Sequence, residues 1–316
     1  MALSPGHGAV VRRITLAVIL ASLLLGVTAC LTPLTPKQPL TPVPTPVTPL
    51  VGVYEPGVPG SWSEITGFSD ATGINPRIVV YYSGWNDPFS TSFARTAWEH
   101  EAYVLVQLQP NGVTLASIAA GGSDAYLRSY AHAVIAFGHP VILSFGHEMN
   151  GTWYSWGAGH ASPATFVAAW RHIVRVFRAA GAANVTWLWA VNSIDGASSA
   201  LSQWWPGAAW VNWTGIDGYY FWPTDTFSSV FGSTIADIRT VSDAPLLIAE
   251  TAVGTTSDRE SQIESLLAGV RADHLAGVVW FDEAQHAGIY HQNWRLEDDP
   301  NALGAFSRAV ATYLDG

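Results

Sequence analysis

The chain has 316 residues, of which 49% are hydrophobic and only 12% are charged. This composition is typical of one large globular core or two small ones, and it excludes an intrinsically disordered protein. The formal net charge of −10 argues against a nucleic-acid surface, and the single cysteine excludes an intramolecular disulfide and a cysteine-rich zinc site.

The first segment, residues 1–30, has the pattern of a secretory signal peptide. Arg12 and Arg13 supply its positive charge, and the apolar run that follows, Ile14 to Val27, is too short to span a membrane comfortably. Val27-Thr-Ala-Cys30 resembles the bacterial lipobox, in which cleavage leaves the cysteine as a lipidated N-terminus. We therefore expect Cys30 to anchor the protein by a lipid on the extracellular face of the cell membrane. The alternative is an ordinary signal peptide and a secreted product.

The next segment, residues 31–50, carries a proline at nearly every second or third position. Proline at this density favours the extended polyproline conformation and removes backbone donors. We predict a semi-rigid Pro/Thr-rich linker that holds a folded domain, residues 51–316, away from the surface.

From Val51 onward, short apolar runs alternate with amphipathic helical patterns. The predicted strands are Val51–Glu55, Arg77–Trp85, Tyr103–Pro110, Pro140–Glu148, Val185–Asn192, Thr214–Phe221, Pro245–Thr251 and Gly277–Glu283. The clearest predicted helices are Pro163–Ala180, Thr226–Val241, Asp258–Ala272 and Asn301–Leu314. Eight such units over roughly 265 residues predict a (β/α)8 TIM barrel. A doubly wound open sheet is the alternative, but no glycine-rich phosphate loop follows the first strand.

The fourth apolar run ends abruptly in polar and aromatic residues, which are His147, Glu148, Asn150, Trp153, Tyr154 and Trp156. Barrel enzymes build their active sites at the carboxyl ends of their strands. A carboxylic acid beside a histidine and three aromatic rings is typical of a site that cleaves sugar chains. The 15 tryptophans of the chain favour the same interpretation, because flat apolar rings pack on sugar faces, although they also pack well in cores.

Glycosidases generally need a second carboxyl group, and Glu250 is the candidate. It ends the seventh apolar run, in Leu246-Leu-Ile-Ala-Glu-Thr251, as Glu148 ends the fourth. Period-two alternation predicts that Ser144, Gly146 and Glu148 share one face of strand four. The same alternation predicts that Ile248 and Glu250 share one face of strand seven.

The segment from Gly146-His-Glu-Met-Asn-Gly151 to Trp156-Gly157 resembles the acid/base segment of glycoside hydrolase family 26. The segments Gly215-Ile-Asp-Gly-Tyr219, Glu250-Thr251 and Trp280-Phe281 follow in matching order, so the resemblance covers residues 51–316. It implies a retaining (β/α)8 glycosidase with catalytic glutamates on strands four and seven. The family contains mainly β-mannanases, with some β-1,3-xylanases and mixed-linkage β-glucanases.

Carried over by position, the resemblance implies that Glu148 is the acid/base and Glu250 the nucleophile. It implies that Tyr219 hydrogen-bonds the nucleophile, with Tyr220 as the alternative. The other substrate-binding candidates are His147, Asn150, Trp153 and Trp156 from the motif, Trp280 on strand eight, and Trp85 and Asn192 at the ends of strands two and five. Strand two departs from typical mannanases because Tyr81-Tyr-Ser-Gly-Trp-Asn86 is rich in aromatic residues.

In the implied mechanism, ionised Glu250 attacks the anomeric carbon and protonated Glu148 donates to the leaving oxygen. The neighbouring carboxylate and aromatic surroundings should raise the pKa of Glu148. The expected partner is a β-linked polysaccharide or oligosaccharide, with β-mannan first and β-1,3/1,4-glucan or β-1,3-xylan next. We expect a monomer with no cofactor. We also expect no metal, because His286, His291 and Asp298 lack ligand spacing.

The sequence leaves alternatives to a hydrolase open. A lipid-anchored carbohydrate-binding protein could keep the barrel without turnover, and a lyase or transglycosylase could use similar residues. Asp282 and Glu283 are either sugar ligands at the rim or solvated loop charges. The sequence does not distinguish endo from exo action or fix the number of subsites.

Overall fold

A computed structural model describes residues 39–194, 201–284 and 292–314. The predicted signal peptide, Cys30, His286 and His291 lie outside the described residues. Eight parallel strands pair in chain order and close into a barrel, with β8 against β1. This confirms the (β/α)8 barrel and excludes the open, doubly wound sheet.

The strands are β1 Leu50–Tyr54, β2 Ile78–Ser83, β3 Tyr103–Leu108, β4 Val141–Phe145, β5 Val185–Asn192, β6 Trp213–Asp217, β7 Leu246–Thr251 and β8 Gly277–Phe281. The helices are α1 Ser63–Thr72, α2 Thr91–Glu99, α3 Leu115–Ala119, α4 Asp124–Phe137, α5 Pro163–Ala180, α6 Ser233–Arg239, α7 Arg259–Ala272 and α8 Pro300–Leu314. A single π-helical turn, Ser228–Gly232, leads into α6, so the predicted helix Thr226–Val241 is two pieces.

Helix α5 shows how the sequence sets an element. The Ser162 side chain accepts a hydrogen bond from the backbone nitrogen of Thr165, and Pro163 occupies the first turn, where no backbone donor is needed. Gly181 ends the helix in the left-handed conformation. The buried stripe recurs at helical spacing and contains Phe166, Trp170, Ile173 and Phe177. The bounds match the sequence prediction.

The apolar residues form two layers because successive strand residues point to opposite faces. The interior of the barrel is filled by a cluster that includes Ile78, Val80, Leu105, Ile142, Leu188 and Trp213. A larger cluster lies between the strands and the helices and contains the alternate positions, such as Val79, Tyr81 and Val104. The polar ends of the strands are therefore left at one mouth of the barrel.

The described part of the predicted linker does not behave as a free spacer. Val43 is only 5% exposed and belongs to the interior cluster of the barrel. Its backbone nitrogen donates to Oγ1 of Thr186 at 2.8 Å, at the start of β5. Residue Leu50 already lies in β1. The chain from Val43 onward thus closes the amino-terminal mouth of the barrel, whereas the sequence placed the start of the domain at residue 51.

Among the described residues, no helix combines the length and the apolar character that a membrane crossing needs.

Candidate active site

Strand β4 stops three residues before Glu148 because the backbone turns out of the extended conformation. Gly146 has φ +55°, and Glu148 itself has φ +53°. The backbone nitrogen of Glu148 donates to the carbonyl of Ala190 on β5 at 3.0 Å, which fixes the turn. A non-glycine residue in the left-handed region is uncommon and is found at functional sites. The turn leaves the Glu148 side chain at the carboxyl-terminal mouth of the barrel.

Glu250 reaches the same mouth through an irregularity in β7. Ile216 of β6 pairs with Ile248, but the next residue, Asp217, pairs with Glu250, so β7 contains one extra residue. Ile248 belongs to the outer layer, while Ala249 belongs to the interior cluster. The predicted alternation in β7, with Ile248 and Glu250 on one face, is therefore wrong. A bulge re-aims a side chain in this way.

Two tyrosines hold the carboxylate of Glu250. The Tyr219 hydroxyl donates to Oε1 and the Tyr82 hydroxyl donates to Oε2. Tyr220, the alternative from the sequence, is buried in the outer layer against Phe231. The sequence reasoning missed Tyr82, although alternation along β2 predicts an interior side chain there, since Ile78 and Val80 also face inward.

Burial and mutual repulsion set the charges of the carboxyl groups. Burial, then the Glu250 charge, raises the pKa of Glu148 to about 8, and the indole N–H of Trp153 opposes the shift. Burial also raises the pKa of Glu250, and the hydrogen bonds from Tyr219 and Tyr82 work against it. Asp217 is fully buried between the two, and burial followed by the charges of Glu250 and Glu148 raises its pKa well above the usual value. Glu148 therefore favours its protonated form. The two hydrogen bonds to Glu250 favour its charged form.

His147 lies below the same cleft as a neutral imidazole. Burial lowers the pKa of His147 to about 3. Its Nε2 shares a hydrogen bond with the Tyr154 hydroxyl at 3.2 Å, and its ring lies 5.6 Å from that of Tyr82. The histidine thus packs against Tyr82, which donates to Glu250, and against Tyr154, whose ring lies beside that of Trp153.

Of the predicted aromatic wall, Trp153 is the residue with an accessible ring. Trp153 is 55% exposed, and its Nε1 donates to Oε2 of Glu148 at 2.9 Å. Trp156 is buried, so its assignment to the cleft wall is wrong. It stacks on Tyr154 with ring centroids 4.3 Å apart and donates Nε1 to the carbonyl of His147 at 2.9 Å. Trp156 therefore supports the cleft from behind.

Trp280 and Trp85 are also misplaced by the sequence prediction, because both belong to the outer layer. Trp280 is buried, and its Nε1 donates to Oδ1 of Asp282 and to the carbonyl of Trp294, each at 3.0 Å. Trp85 packs on Tyr126 and Phe145. The strand-eight ring near Tyr219 is instead Phe281: its centroid lies 6.0 Å from that of Tyr219, and it stacks on Tyr54 at 4.5 Å.

Asn150 and Asn192 bind each other across the ends of β4 and β5. Nδ2 of Asn150 donates to the carbonyl of Asn192 at 2.8 Å, and Oδ1 of Asn150 accepts from the backbone nitrogen of Asn192 at 2.8 Å. The Asn192 amide donates to the carbonyl of Ser193. Asn150 is buried, so the structure makes it a brace for the loop that carries Glu148 rather than a sugar ligand.

A second group of acids lies beside the barrel mouth. Carboxylate oxygens of Glu55, Asp282 and Glu297 all lie within 4.8 Å of one another, a spacing that a hard cation could use. Burial, then the Asp282 and Glu297 charges, raises the pKa of Glu55 to about 10. Burial and the Glu297 hydrogen bond raise the pKa of Asp282 to about 8. Glu55 and Asp282 therefore favour their protonated forms in this surrounding. Asp282 is buried and is neither a rim ligand nor a solvated charge.

The fold and the site together define a class: a (β/α)8 barrel with a buried glutamate after β4 and a partly buried one at the end of β7, the pairing of carboxyls that glycosidases use. The family model described as Glycosyl hydrolase family 26 matches residues 128–256, a segment that contains both glutamates. Over this segment the chain is similar to that family, as the sequence resemblance implied.

Two curated relatives match the chain over different lengths. Endoglucanase H from Acetivibrio thermocellus is 29% identical over 272 residues, which is 80% of this chain and 29% of that protein. A mannan endo-1,4-β-mannosidase from Bifidobacterium adolescentis is 30% identical over 128 residues, which is 38% of this chain and 13% of that protein. The chain therefore spans less than a third of the length of either relative.

Among solved structures, a double mutant of the Cellulomonas fimi endo-β-1,4-mannanase aligns with a TM-score of 0.63 at 19% identity. The alignment covers 85% of this chain and 74% of that one. At this identity the match supports the barrel fold.

Proposed function

We propose that the protein is a retaining endo-β-glycanase in which Glu148 is the acid/base and Glu250 the nucleophile. The observation that carries the proposal is the contrast between the two glutamates at one barrel mouth. Burial holds the pKa of Glu148 at about 8, so this group is protonated at neutral pH. Glu250 accepts hydrogen bonds on both oxygens from Tyr219 and Tyr82, which favours its charged form.

The reaction then follows from these two charge states. A carboxylate oxygen of Glu250 attacks the anomeric carbon as the bond to the leaving oxygen breaks and Glu148 transfers its proton to that oxygen. Glu148, now ionised, removes a proton from water, which attacks the anomeric carbon and releases Glu250. Burial, and then the charges of Glu250 and Glu148, raise the pKa of Asp217 well above its usual value, which favours its neutral form.

We propose β-mannan as the first substrate, with β-1,3/1,4-glucan and β-1,3-xylan next. The names of the two curated relatives, an endoglucanase and a mannan endo-1,4-β-mannosidase, support a β-linked backbone. Trp153 and Trp222 are 55% and 63% exposed, and both follow strands at the carboxyl-terminal mouth. Exposed flat rings there suit the apolar faces of a sugar chain. Sequence reasoning missed Trp222, whose signal is its position just after the sixth strand.

We also propose that the protein acts on the extracellular face of the cell membrane, anchored by a lipid on Cys30, or is secreted if that cysteine is not lipidated. The support is the lipobox-like segment Val27-Thr-Ala-Cys30. Mass spectrometry of the N-terminal peptide from cells tests this part alone.

The catalytic proposal is tested by assaying reducing-sugar release from mannan, lichenan, laminarin and β-1,3-xylan. Glu148→Ala and Glu250→Ala should each lower kcat at least 1,000-fold, by analogy with ~10³-fold or larger effects of removing acid, base or nucleophile groups. Glu99→Ala, at an exposed glutamate on α2, is the matched control and should keep full activity.

With Glu148→Ala, azide should restore the turnover of an activated aryl glycoside, because that leaving group needs no proton. Azide should not restore polysaccharide cleavage, because it cannot donate a proton to the leaving sugar. Product NMR should show retention at the anomeric carbon. Binding of a polysaccharide without any release by the unmodified protein would contradict the proposal and favour a carbohydrate-binding protein. Full activity in either glutamate variant would contradict the assignment of that residue.

A further inference from the structure

We propose that Tyr82 is a second positioning residue for the nucleophile, so that Glu250 is held at both carboxylate oxygens by tyrosines from opposite sides of the barrel. This inference rests on the proposed function. Tyr219 comes from the end of β6 and donates to Oε1, and Tyr82 comes from β2 and donates to Oε2.

The position of Tyr82 follows from the pleat of β2. Its neighbour Tyr81 points to the outer layer, where its hydroxyl accepts a hydrogen bond from the Ser90 backbone nitrogen at 3.3 Å. Tyr82 therefore points into the barrel. Its ring lies edge-on to Tyr54 at 5.2 Å and 5.6 Å from the His147 ring. Packing on two sides limits the rotamers of Tyr82 and aims its hydroxyl before any sugar binds.

The surroundings of Glu250 explain why one donor is insufficient. Buried carboxyl groups tend to take a proton, and the pKa of Glu250 is raised by that burial. The groups that face it are Tyr54 from β1, Glu148 and Tyr154 from the end of β4, Asp217 and Tyr219 from β6, and Glu283 after β8. Of these, the charge of Glu283 disfavours the charged nucleophile. Tyr219 and Tyr82 are the groups whose hydrogen bonds favour it.

The two tyrosine donors also take different roles during the reaction. When one Glu250 oxygen forms the bond to the anomeric carbon, the carboxylate charge is lost and only the other oxygen remains a strong acceptor. One of the two tyrosine hydroxyls is then released beside the sugar as the leaving oxygen takes the proton of Glu148. Losing the Tyr82 donor thus acts first on the fraction of Glu250 that is ionised before attack.

Tyr82→Phe removes only the hydroxyl and tests the proposal. A hydrogen bond to a charged group corresponds to a shift of about one pH unit. We expect the acidic limb of the pH profile of kcat/KM to move upward by about one unit, with a roughly tenfold loss one unit below the original limb. Tyr219→Phe should move the limb in the same direction, and the double variant further than either.

Tyr81→Phe is the matched control, because it makes the same chemical change one residue away on the other face of β2. Its acidic limb should not move. Replacing Tyr82 by 3-fluorotyrosine, a more acidic donor, should move the limb downward and keeps the ring in place. An unmoved limb in Tyr82→Phe, beside a moved limb in Tyr219→Phe, would overturn the proposal.

A readout without turnover separates this inference from the proposed function. In protein labelled with 13C at glutamate carboxyls, the resonance lost in Glu250→Gln identifies the nucleophile. Its titration should move upward in Tyr82→Phe and stay in place in Tyr81→Phe, even if no polysaccharide is cleaved. An unchanged titration in Tyr82→Phe overturns the role of Tyr82, whereas absent sugar release with a shifted titration overturns the catalytic proposal alone.

Discussion

Glu148 and Glu250 are the same residue type at the same barrel mouth, and their hydrogen-bond donors distinguish them. Glu148 accepts one bond from a neutral indole, that of Trp153. Glu250 accepts two from phenols, which are stronger donors. Burial raises the pKa of both groups, but more donors oppose it at Glu250. The environment, rather than the residue type, therefore distinguishes the two glutamates and supports their proposed roles as acid and nucleophile.

The pKa of Glu148 predicts the basic limb of the activity profile. Because Glu148 must be protonated to donate, kcat/KM on a polysaccharide should fall tenfold per unit above about pH 8. An aryl glycoside with a leaving group that needs no proton should show a much weaker fall for its first step. Initial rates from pH 4 to 10, about the usual range for such profiles, measure both limbs. A polysaccharide profile flat through pH 9, roughly a unit beyond this value, would contradict the acid assignment.

The same group links stability to pH. Its folded pKa of about 8 exceeds the ordinary value of 4.5, so the folded state keeps a proton that the unfolded state releases between these pH values. The free energy of unfolding therefore falls as pH rises through this window. In Glu148→Gln this contribution is absent, so urea unfolding of that variant should depend less on pH than unfolding of the unmodified protein.

At the scale of elements, the sequence predicted the strands and helices well because hydrophobic periodicity dominates inside them. It predicted strand ends poorly. The left-handed turn at Gly146 and Glu148 and the extra residue in β7 leave no periodic signal, although both aim a glutamate. The prediction that Trp280 contacts the sugar was wrong for a related reason, because it considered residue type and not strand alternation. Val279 faces the barrel interior, so alternation places Phe281 inside and Trp280 in the outer layer.

The turn after β4 predicts an effect of Gly146→Ala. Gly146 has φ +55°, and an added Cβ would lie 3.2 Å from ring atoms of both Phe166 and Trp156. The left-handed backbone alone costs about 1–2 kcal/mol, and crowding two packed rings adds roughly 1–3 kcal/mol. We expect the free energy of unfolding to fall by about 2–5 kcal/mol, measured by urea denaturation, with loss of activity as the Glu148 turn shifts.

Gly138→Ala is the matched control for this change. Gly138 has φ +83° at the end of α4, and nothing lies within 4 Å of an added Cβ. Its cost should be limited to the backbone part, about 1–2 kcal/mol. Equal losses in the two variants would show that the rings around Gly146 yield freely.

At the scale of the whole molecule, one mouth of the barrel carries the candidate site and the other is closed by the chain. The carboxyl-terminal mouth holds the glutamates and the exposed rings of Trp153 and Trp222. The amino-terminal mouth is closed by Val43 from a segment whose composition predicted only a spacer. Proline content sets backbone conformation but does not report burial, so a single apolar side chain that seals a barrel was not visible in the sequence.

Val43→Asp should therefore destabilise the whole barrel. The carboxylate would enter an interior cluster that includes Leu188 and Trp213, where it has no ionic partner among the described residues of that cluster. Burying an unpaired charge disfavours the folded state by several kcal/mol, of which part is recovered if the segment detaches. We expect the free energy of unfolding, measured in urea, to fall by about 2–4 kcal/mol.

Val47→Asp makes the same change at a fully exposed side chain, and its free energy of unfolding should stay within about 0.5 kcal/mol of that of the unmodified protein. Equal stability of the two variants would mean that the barrel does not need this seal, and that residues 39–49 act as linker after all.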